Sequence, residues 1–448
     1  MCSNINSILL TQQGLPSPPP AVVVDARGLN VLNSKPETGT TTQLSCGMNP
    51  YNTVSIPSVL LLPPGNIAVG NTWVLPSNSR IVGVMPSLPT AEAIASTIVP
   101  ASNFTPANNS RSASSGLWSA SEQAVIQMCG NPPCTGISIE HLIVDGGAAL
   151  SSPQTNNGIF NNGAGDQSYV NDVTINNVSY TALVVSNNAS SSGATPYATG
   201  SGPYTNVHVN IGRGTCGSNC APACVVMMAQ TRGLHGLTCI GTNATTGITA
   251  AAGVYVVASN NSVEDAHFES FWDGVQVFAG AGAAVSNVDI TNITGAVGLT
   301  NVVHICGNSG PTCTSSTYAI SDVSILGVSL DNSSAGGSMA ILDDQTGAYF
   351  GNIDLSVGLY VIGDLIGNAT GNQYSRFTTM PNGLNSSGRQ TGSYSPVWGV
   401  GVPPSGFAAG SLCLNYGALF SATNGTSSGN VLYVCEGSSV SGTWKKIF

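Results

Sequence analysis

A short couplet of two apolar residues around one variable position recurs along this chain, each time directly after a glycine, an asparagine or an aspartate. The couplets are Ile137-x-Ile139, Val173-x-Ile175, Val207-x-Val209, Leu237-x-Cys239, Ala266-x-Phe268, Val288-x-Ile290, Val323-x-Ile325 and Ile353-x-Leu355. Their first positions lie 36, 34, 30, 29, 22, 35 and 30 residues apart. The unit is clearest from Gly253 to Ile293, where Val254, Val256 and Val257, then Val275 and Val277, then Val288, Ile290 and Ile293 alternate with small polar turns. Such strings are too short for helices. A period in this range, made of strands and turns, predicts an all-β fold, a stacked solenoid. One turn of chain cannot bury its own apolar edge, so turns stack and an apolar column forms inside. Function then falls to the outward rows.

Composition narrows the setting. Charged residues make up 7% of the chain, whereas 42% of residues are apolar and 54 of 448 are glycine. Periodic apolar residues at that level indicate a packed fold, with solubility resting on hydroxyls and amides. Ten Lys and Arg against 20 Asp and Glu leave a net charge of −10. No basic stripe exists to neutralise phosphates, so a nucleic-acid partner is not expected. A polybasic membrane anchor is missing too. The sequence shows no secretory apolar core and no 18-residue apolar span, which reads as a mature form whose signal was removed.

Twelve cysteines point to an oxidising compartment, and hence to a secreted or cell-surface protein. Local pairs are expected between Cys129 and Cys134, between Cys306 and Cys313, and between Cys413 and Cys435. Cys216, Cys220, Cys224 and Cys239 leave two further pairs, and Cys2 remains for Cys46. A metal site in the Cys216–Cys224 segment is disfavoured, because its spacing is not C-x2-C and no histidine stands at ligand spacing. No metal and no cofactor are expected.

Taken in order, residues 1–21 read as a lead-in that ends in the proline-rich Gly14–Pro20. Val22–Gly28 reads as a short strand and turn, and Val59–Val69 and Trp73–Val84 follow with Leu62-Pro63-Pro64-Gly65 and Leu75-Pro76-Ser77-Asn78. This strand, Leu-Pro-x-Gly, strand, Leu-Pro-x-Asn pattern resembles the first coils of the pectate-lyase-like right-handed parallel β-helices. The resemblance implies that fold for residues 22–370, and it leaves function open, because the fold hosts lyases, hydrolases, epimerases, tailspikes and adhesins. Met85 to Gln123 reads as a long loop. Residues 371–396 read as a linker, and 397–448 as a small β module that caps the solenoid or joins copies of the chain in a homo-oligomer.

Stacking the couplets in register predicts one outward row through Ser138, Thr174, His208, Thr238, His267, Asp289, Ser324 and Asp354. A second row carries Glu140, Asn176, Asn210, Ile240, Glu269, Thr291, Leu326 and Ser356. Coils lie about 4.8 Å apart, so this register gathers His267, Glu269 and Asp289, with Glu264, Asp265, Trp272 and Asp273 beside them. Polysaccharide hydrolysis needs one carboxyl to protonate the glycosidic oxygen and a second to activate water or attack, while an aromatic ring stacks on the sugar. The expected catalytic set is Glu269 and Asp289 with His267 and Asp265. Trp272, Asp273, His208, Asn210, Arg232 and His235 are the expected substrate contacts. A plainer account of Asp265 also holds, since Asp172, Asn206, Asn287 and Asp322 precede apolar couplets in the same way, where an Asx residue stabilises the turn.

Asp343 and Asp344 form a second candidate pair and are similar to the Gly-Asp-Asp segment of the polygalacturonase family. No Asn-Thr-Asp precedes them, no Gly-His-Gly follows, and the Arg-x-Lys substrate clamp of that family is missing. His141 and His304 stand beside apolar strings and read as structural. The negative surface favours a neutral or weakly charged polysaccharide as partner. Two functions therefore stand side by side: a secreted glycoside hydrolase, and a noncatalytic adhesin, filament or tailspike-like protein that presents hydrogen-bonding rows to a glycan.

Overall fold

In this computed structural model the apolar couplets form strands, and no helix occurs among the described residues. Those residues are 22–25, 58–62, 64–85, 95–105, 124–130, 133–147, 157–178, 181–186, 200–211, 223–241, 252–278, 284–295, 299, 301–306 and 320–330, together with the strands at 339–343, 354–357, 366–367, 376–379, 397–400, 412–413, 419–423, 431–436 and 442–446. The chain divides into two units, residues 1–254 and 255–448.

In the first unit successive strands alternate between two parallel stacks. One stack runs Ser79–Val82, Ser138–Asp145, Tyr169–Asn176 and Tyr204–Ile211, each hydrogen-bonded to the next. The other runs Trp73–Leu75, Ala124–Met128, Asn157–Asn162, Thr181–Ser186 and Ala223–Met227. The second unit repeats the arrangement. Asn261–Glu269, Val285–Gly295, Ile320–Leu330, Asp354–Val357 and Arg376–Thr379 form one parallel stack. Asp273–Phe278, Asn301–Cys306, Met339–Asp343 and Ile366–Gly367 form the other. Parallel pairing therefore continues to Arg376–Thr379, inside the stretch expected to be a linker. Residues 397–446 supply a separate five-stranded sheet, mostly antiparallel.

The two stacks differ in how they meet solvent. Strands such as Asn157–Asn162, Thr181–Ser186 and Asp273–Phe278 are buried at every position. That is the signature of a sheet covered on both faces. Strands of the other stack alternate, as in Tyr204–Ile211, where Tyr204, Val207, Val209 and Ile211 point inward and His208 and Asn210 outward. Outward polar side chains thus concentrate on the alternating stack.

Within that stack the long strands are bent by residues in the left-handed conformation. Asn260 and Asp265, Asn287 and Asn292, and Asp322 and Gly327 all have φ between 52° and 65°. In each pair the two residues stand five apart. In the first unit Gly136 and His141, then Gln167 and Asp172, repeat that spacing with φ between 53° and 67°. Each such residue inserts an extra outward position, so two inward couplets flank every second corner. Val285–Gly295 shows it directly, with inward Val288 and Ile290 after Asn287 and inward Ile293 and Gly295 after Asn292. Only glycine or a short polar side chain adopts this conformation readily, which explains the Gly or Asx before each couplet. The corners also stack: Asn287 Nδ2 donates to Asn260 Oδ1 at 2.8 Å, and Asn292 Nδ2 to Asp265 Oδ1 at 3.0 Å.

Two disulfides are present among the described residues: the expected Cys129–Cys134, and Cys224–Cys239, one of the pairings left open among Cys216, Cys220, Cys224 and Cys239. Cys129–Cys134 closes a tight loop, and Cys224–Cys239 ties a strand of one stack to a strand of the other. The other expected pairings involve side chains outside the described residues. One expectation fails between Met85 and Gln123: Ser96–Thr105 is a ten-residue strand paired with Gly65–Asn71 and with Ser138–Asp145. Its inward Ile98 and Phe104 stand too far apart, among Ser and Ala, to display a couplet. No helix among the described residues is long and apolar enough to cross a membrane.

The corner geometry sets a mutational expectation. Asn292→Val places a β-branched side chain in the left-handed region, which costs about 1–2 kcal/mol. It also removes the bond to Asp265, worth about 0.5–1.5 kcal/mol. Asn292→Gly loses only the bond. Urea unfolding should rank the two variants in that order, and equal midpoints would disprove a conformational role for the corner.

Candidate functional site

The strand register separates the expected catalytic pair. Ser262, not His267, stands beside Asp289, and His267 stands beside Thr294. Asp289 and Thr294 are five residues apart on one strand, or about 16 Å at the rise of an extended chain. Glu269 and Asp289 therefore do not meet. The expectation matched Ala266-x-Phe268, which follows the second corner of its coil, to Val288-x-Ile290, which follows the first corner of the next. The true partner is Ile293-x-Gly295. The same slip of five residues affects Ile137-x-Ile139, because Val173 pairs with Leu142 and Thr174 with Ile143. Elsewhere the rows align as expected, through Thr174, His208 and Thr238, and through Asp289, Ser324 and Asp354.

His267 and Glu269 do form a pair. His267 Nε2 lies 3.0 Å from Glu269 Oε1, and His267 Nδ1 lies 2.8 Å from Thr294 Oγ1. Thr294 Oγ1 also donates to Ala266 O at 3.4 Å. Both side chains are about a third exposed, 37% for His267 and 38% for Glu269. Three residues on, in the turn that leads to the next strand, Trp272 is 43% exposed while its neighbour Phe271 is buried. An open indole close in sequence to a carboxylate and an imidazole is an arrangement that stacks on a sugar ring and hydrogen-bonds its hydroxyls.

Two neighbours have other duties. Asp273, expected as a substrate contact, is buried at 3% exposure. Its Oδ2 lies 2.6 Å from His304 Nδ1, and its Oδ1 accepts from Asn301 Nδ2 at 2.7 Å. A buried carboxylate must be satisfied in this way, which removes it from solvent and from any ligand. Asp265 is a corner residue at φ 54° whose carboxylate accepts from Asn292. Asp343 ends the strand Met339–Asp343, with its backbone beside Ile305; Asp344 lies outside the described residues.

The remaining expected contacts belong to the first unit. His208 and Asn210 are exposed on the outward face, beside Thr238 and Ile240. Arg232 is exposed, with its Nη2 3.4 Å from Asp166 Oδ1. His235 is half-buried and lies beside Thr205.

The first unit also holds a cluster that the couplet pattern does not reveal. Arg80 Nη2 donates to Glu140 Oε2 at 2.5 Å, across 60 residues of chain. Ser138 Oγ donates to Glu140 Oε1 at 2.9 Å, and Tyr169 OH donates to the same oxygen at 2.8 Å. Glu140 is 5% exposed at its side chain and Arg80 49%. Burial alone would raise the Glu140 carboxyl, but hydrogen bonds from Arg80, Tyr169 and Ser138 outweigh it and hold the group below the ordinary carboxylate range. Burial and the adjacent carboxylate raise the Tyr169 phenol. Register brings the cluster together, with Arg80 beside Ser138 and Ser138 beside Tyr169. The signal in the sequence was faint: a glutamate two residues after a serine, in a chain with few charges.

No protein-family model matches this chain, and no curated protein is similar to it. Among solved structures it is similar to a double mutant of the tailspike protein of E. coli bacteriophage HK620, at 14% identity and a TM-score of 0.42, over 83% of this chain and 57% of that one. It is also similar to the pre-mature gene product 12 of bacteriophage phi29, at 12% identity and a TM-score of 0.48, over 87% of this chain and 54% of that one. The HK620 tailspike in complex with a pentasaccharide matches at 13% identity and a TM-score of 0.42, over 84% of this chain and 77% of that one. This chain thus spans little more than half the length of the first two.

The Glu140 network carries a pH dependence. Its folded-state pKa is depressed, so its stabilisation is fully present above the unfolded carboxylate value and is lost as pH falls through the folded value. Urea unfolding at pH 7 and pH 3 should show wild type more stable than Glu140→Gln at the higher pH, with the gap closing at the lower. A gap that is constant or wider at pH 3 would contradict the network.

Proposed function

We propose that this chain is a glycan-binding protein of the right-handed parallel β-helix kind that works outside the cell, with the turn around Trp272 as its primary sugar contact. The observation that carries this reading is the exposed indole three residues from the His267–Glu269 pair. Trp272 is the exposed large hydrophobic side chain among the described residues; such an indole offers a face for a pyranose ring, and the pair three residues away offers hydrogen bonds to sugar hydroxyls. Two disulfides among the described residues suit an oxidising compartment. The five-stranded sheet over residues 397–446 suits a cap or an oligomerisation module.

Hydrolysis is the second reading, and it rests on a different pair from the one expected. Glu264 stands beside Thr291 and Asp289 beside Ser262, so Glu264 and Asp289 are diagonal neighbours on one outward face. Diagonal neighbours on adjacent strands can bring two carboxyl groups to face one bond of a glycan, as a hydrolase needs.

The test is a glycan array followed by calorimetry on the best neutral hit. Trp272→Ala should weaken binding at least ten-fold, about 1.4 kcal/mol or more. Trp272→Phe should recover part of the loss. Full-strength binding by Trp272→Ala would refute the site. In parallel, reducing-sugar release that disappears in a Glu264→Gln, Asp289→Asn double variant but survives in Glu269→Gln would move the protein to the hydrolases.

A further inference from the structure

We propose that Arg80 is a receptor for a carboxylate carried on a sugar, so that the outward face of the first unit selects acidic glycans. Arg80 meets Glu140 through one nitrogen only, Nη2, and the side chain is 49% exposed. A guanidinium carries five N–H donors in a planar fork that matches a carboxylate edge to edge. Nη2 holds Glu140, and about half of the side chain's surface faces solvent.

The position of the fork is fixed from below. Glu140 is 5% exposed and also accepts hydrogen bonds from Ser138 and Tyr169. Three donors therefore share its charge, and the anion anchors Arg80 without consuming it. A free surface arginine loses rotamer entropy when a ligand immobilises it. Here much of that ordering is already in place before a ligand arrives, which is the basis of preorganised affinity.

The surroundings fit a saccharide. Arg80, buried Ser138 and Tyr169 stand side by side on three successive strands, and the adjacent row runs from buried Glu140 to the partly exposed Asn171, Thr205 and His235. Thr205 Oγ1 donates to Asn171 Oδ1 at 2.5 Å, which continues the polar row away from Arg80. Strands spaced about 4.8 Å apart present a hydroxyl, amide or phenol at each step. A glycan running across the coils would set its carboxylate on Arg80 and its ring hydroxyls along this row. The net charge of −10 does not forbid it, because charges more than about 8 Å away are largely screened at physiological salt.

The test uses the full chain and calorimetry with oligogalacturonate and hyaluronan oligosaccharides, each beside its carboxyl-reduced counterpart, and with inorganic phosphate. Wild type should bind at least one acidic probe ten-fold or more tightly than its reduced form. Arg80→Gln should abolish that preference and Arg80→Lys most of it. Glu140→Gln, which keeps an acceptor for Arg80, should weaken it several-fold in a folded protein. Trp272→Ala should keep the preference, so failure here and failure of the Trp272 site are told apart. Equal binding of acidic and reduced forms by wild type would overturn the proposal. So would a preference that survives in Arg80→Gln, or competition by phosphate as effective as the uronate itself.

Discussion

The structure depends on the left-handed corner. A strand alternates its side chains strictly, so a coil that must turn while keeping apolar residues inside needs a residue that breaks the alternation. Mostly Asn, Asp and Gly, with His141 and Gln167, at φ between 52° and 67° perform that break at paired positions five residues apart. The penalty for other L-residues in this region restricts the identities allowed there, and amide-to-carbonyl contacts such as Asn287 to Asn260 hold neighbouring corners in line. The register of the alternating stack, and with it every outward row, follows from where these corners fall.

The corners also divide the molecule by accessibility. One stack of strands is buried on both faces, and in it Asp273, Asn301 and His304 satisfy one another's polar groups. The bent stack keeps one face open, and there polar side chains serve solvent or a ligand. Asp273 lies four residues from Glu269 yet on the wrong stack for any ligand, because a turn intervenes.

The proposed glycan contacts draw on exposed groups of the turns and of that open face. The Trp272 turn of the second unit offers an apolar plate with a hydrogen-bonding pair, and the Arg80 cluster of the first offers a fixed cation on a polar ladder. Both suit saccharides, which combine apolar ring faces with many hydroxyls. Neither requires a metal or a reactive nucleophile. Low overall charge is consistent with such recognition, since hydroxyls and amides hydrogen-bond sugars without the desolvation penalty of ions.

Much of this was legible in the order of residues. The all-β character, the stacking period, the Cys129–Cys134 disulfide and the Gly or Asx ahead of each couplet all come from local pattern, because backbone conformation and alternation are properties of short segments. The contact between His267 and Glu269 was legible for the same reason, as two outward positions of one strand. What tertiary structure alone decided was pairing between coils. Every turn carries two couplets, one after each corner, and nothing local says which couplet of one turn meets which of the next. That ambiguity put Asp289 beside His267 on paper and beside Ser262 in the fold. It also hid Arg80 and Glu140, which are 60 residues apart and meet only through register. Register is set by the summed burial of a whole coil against its neighbours, a quantity that no single couplet contains.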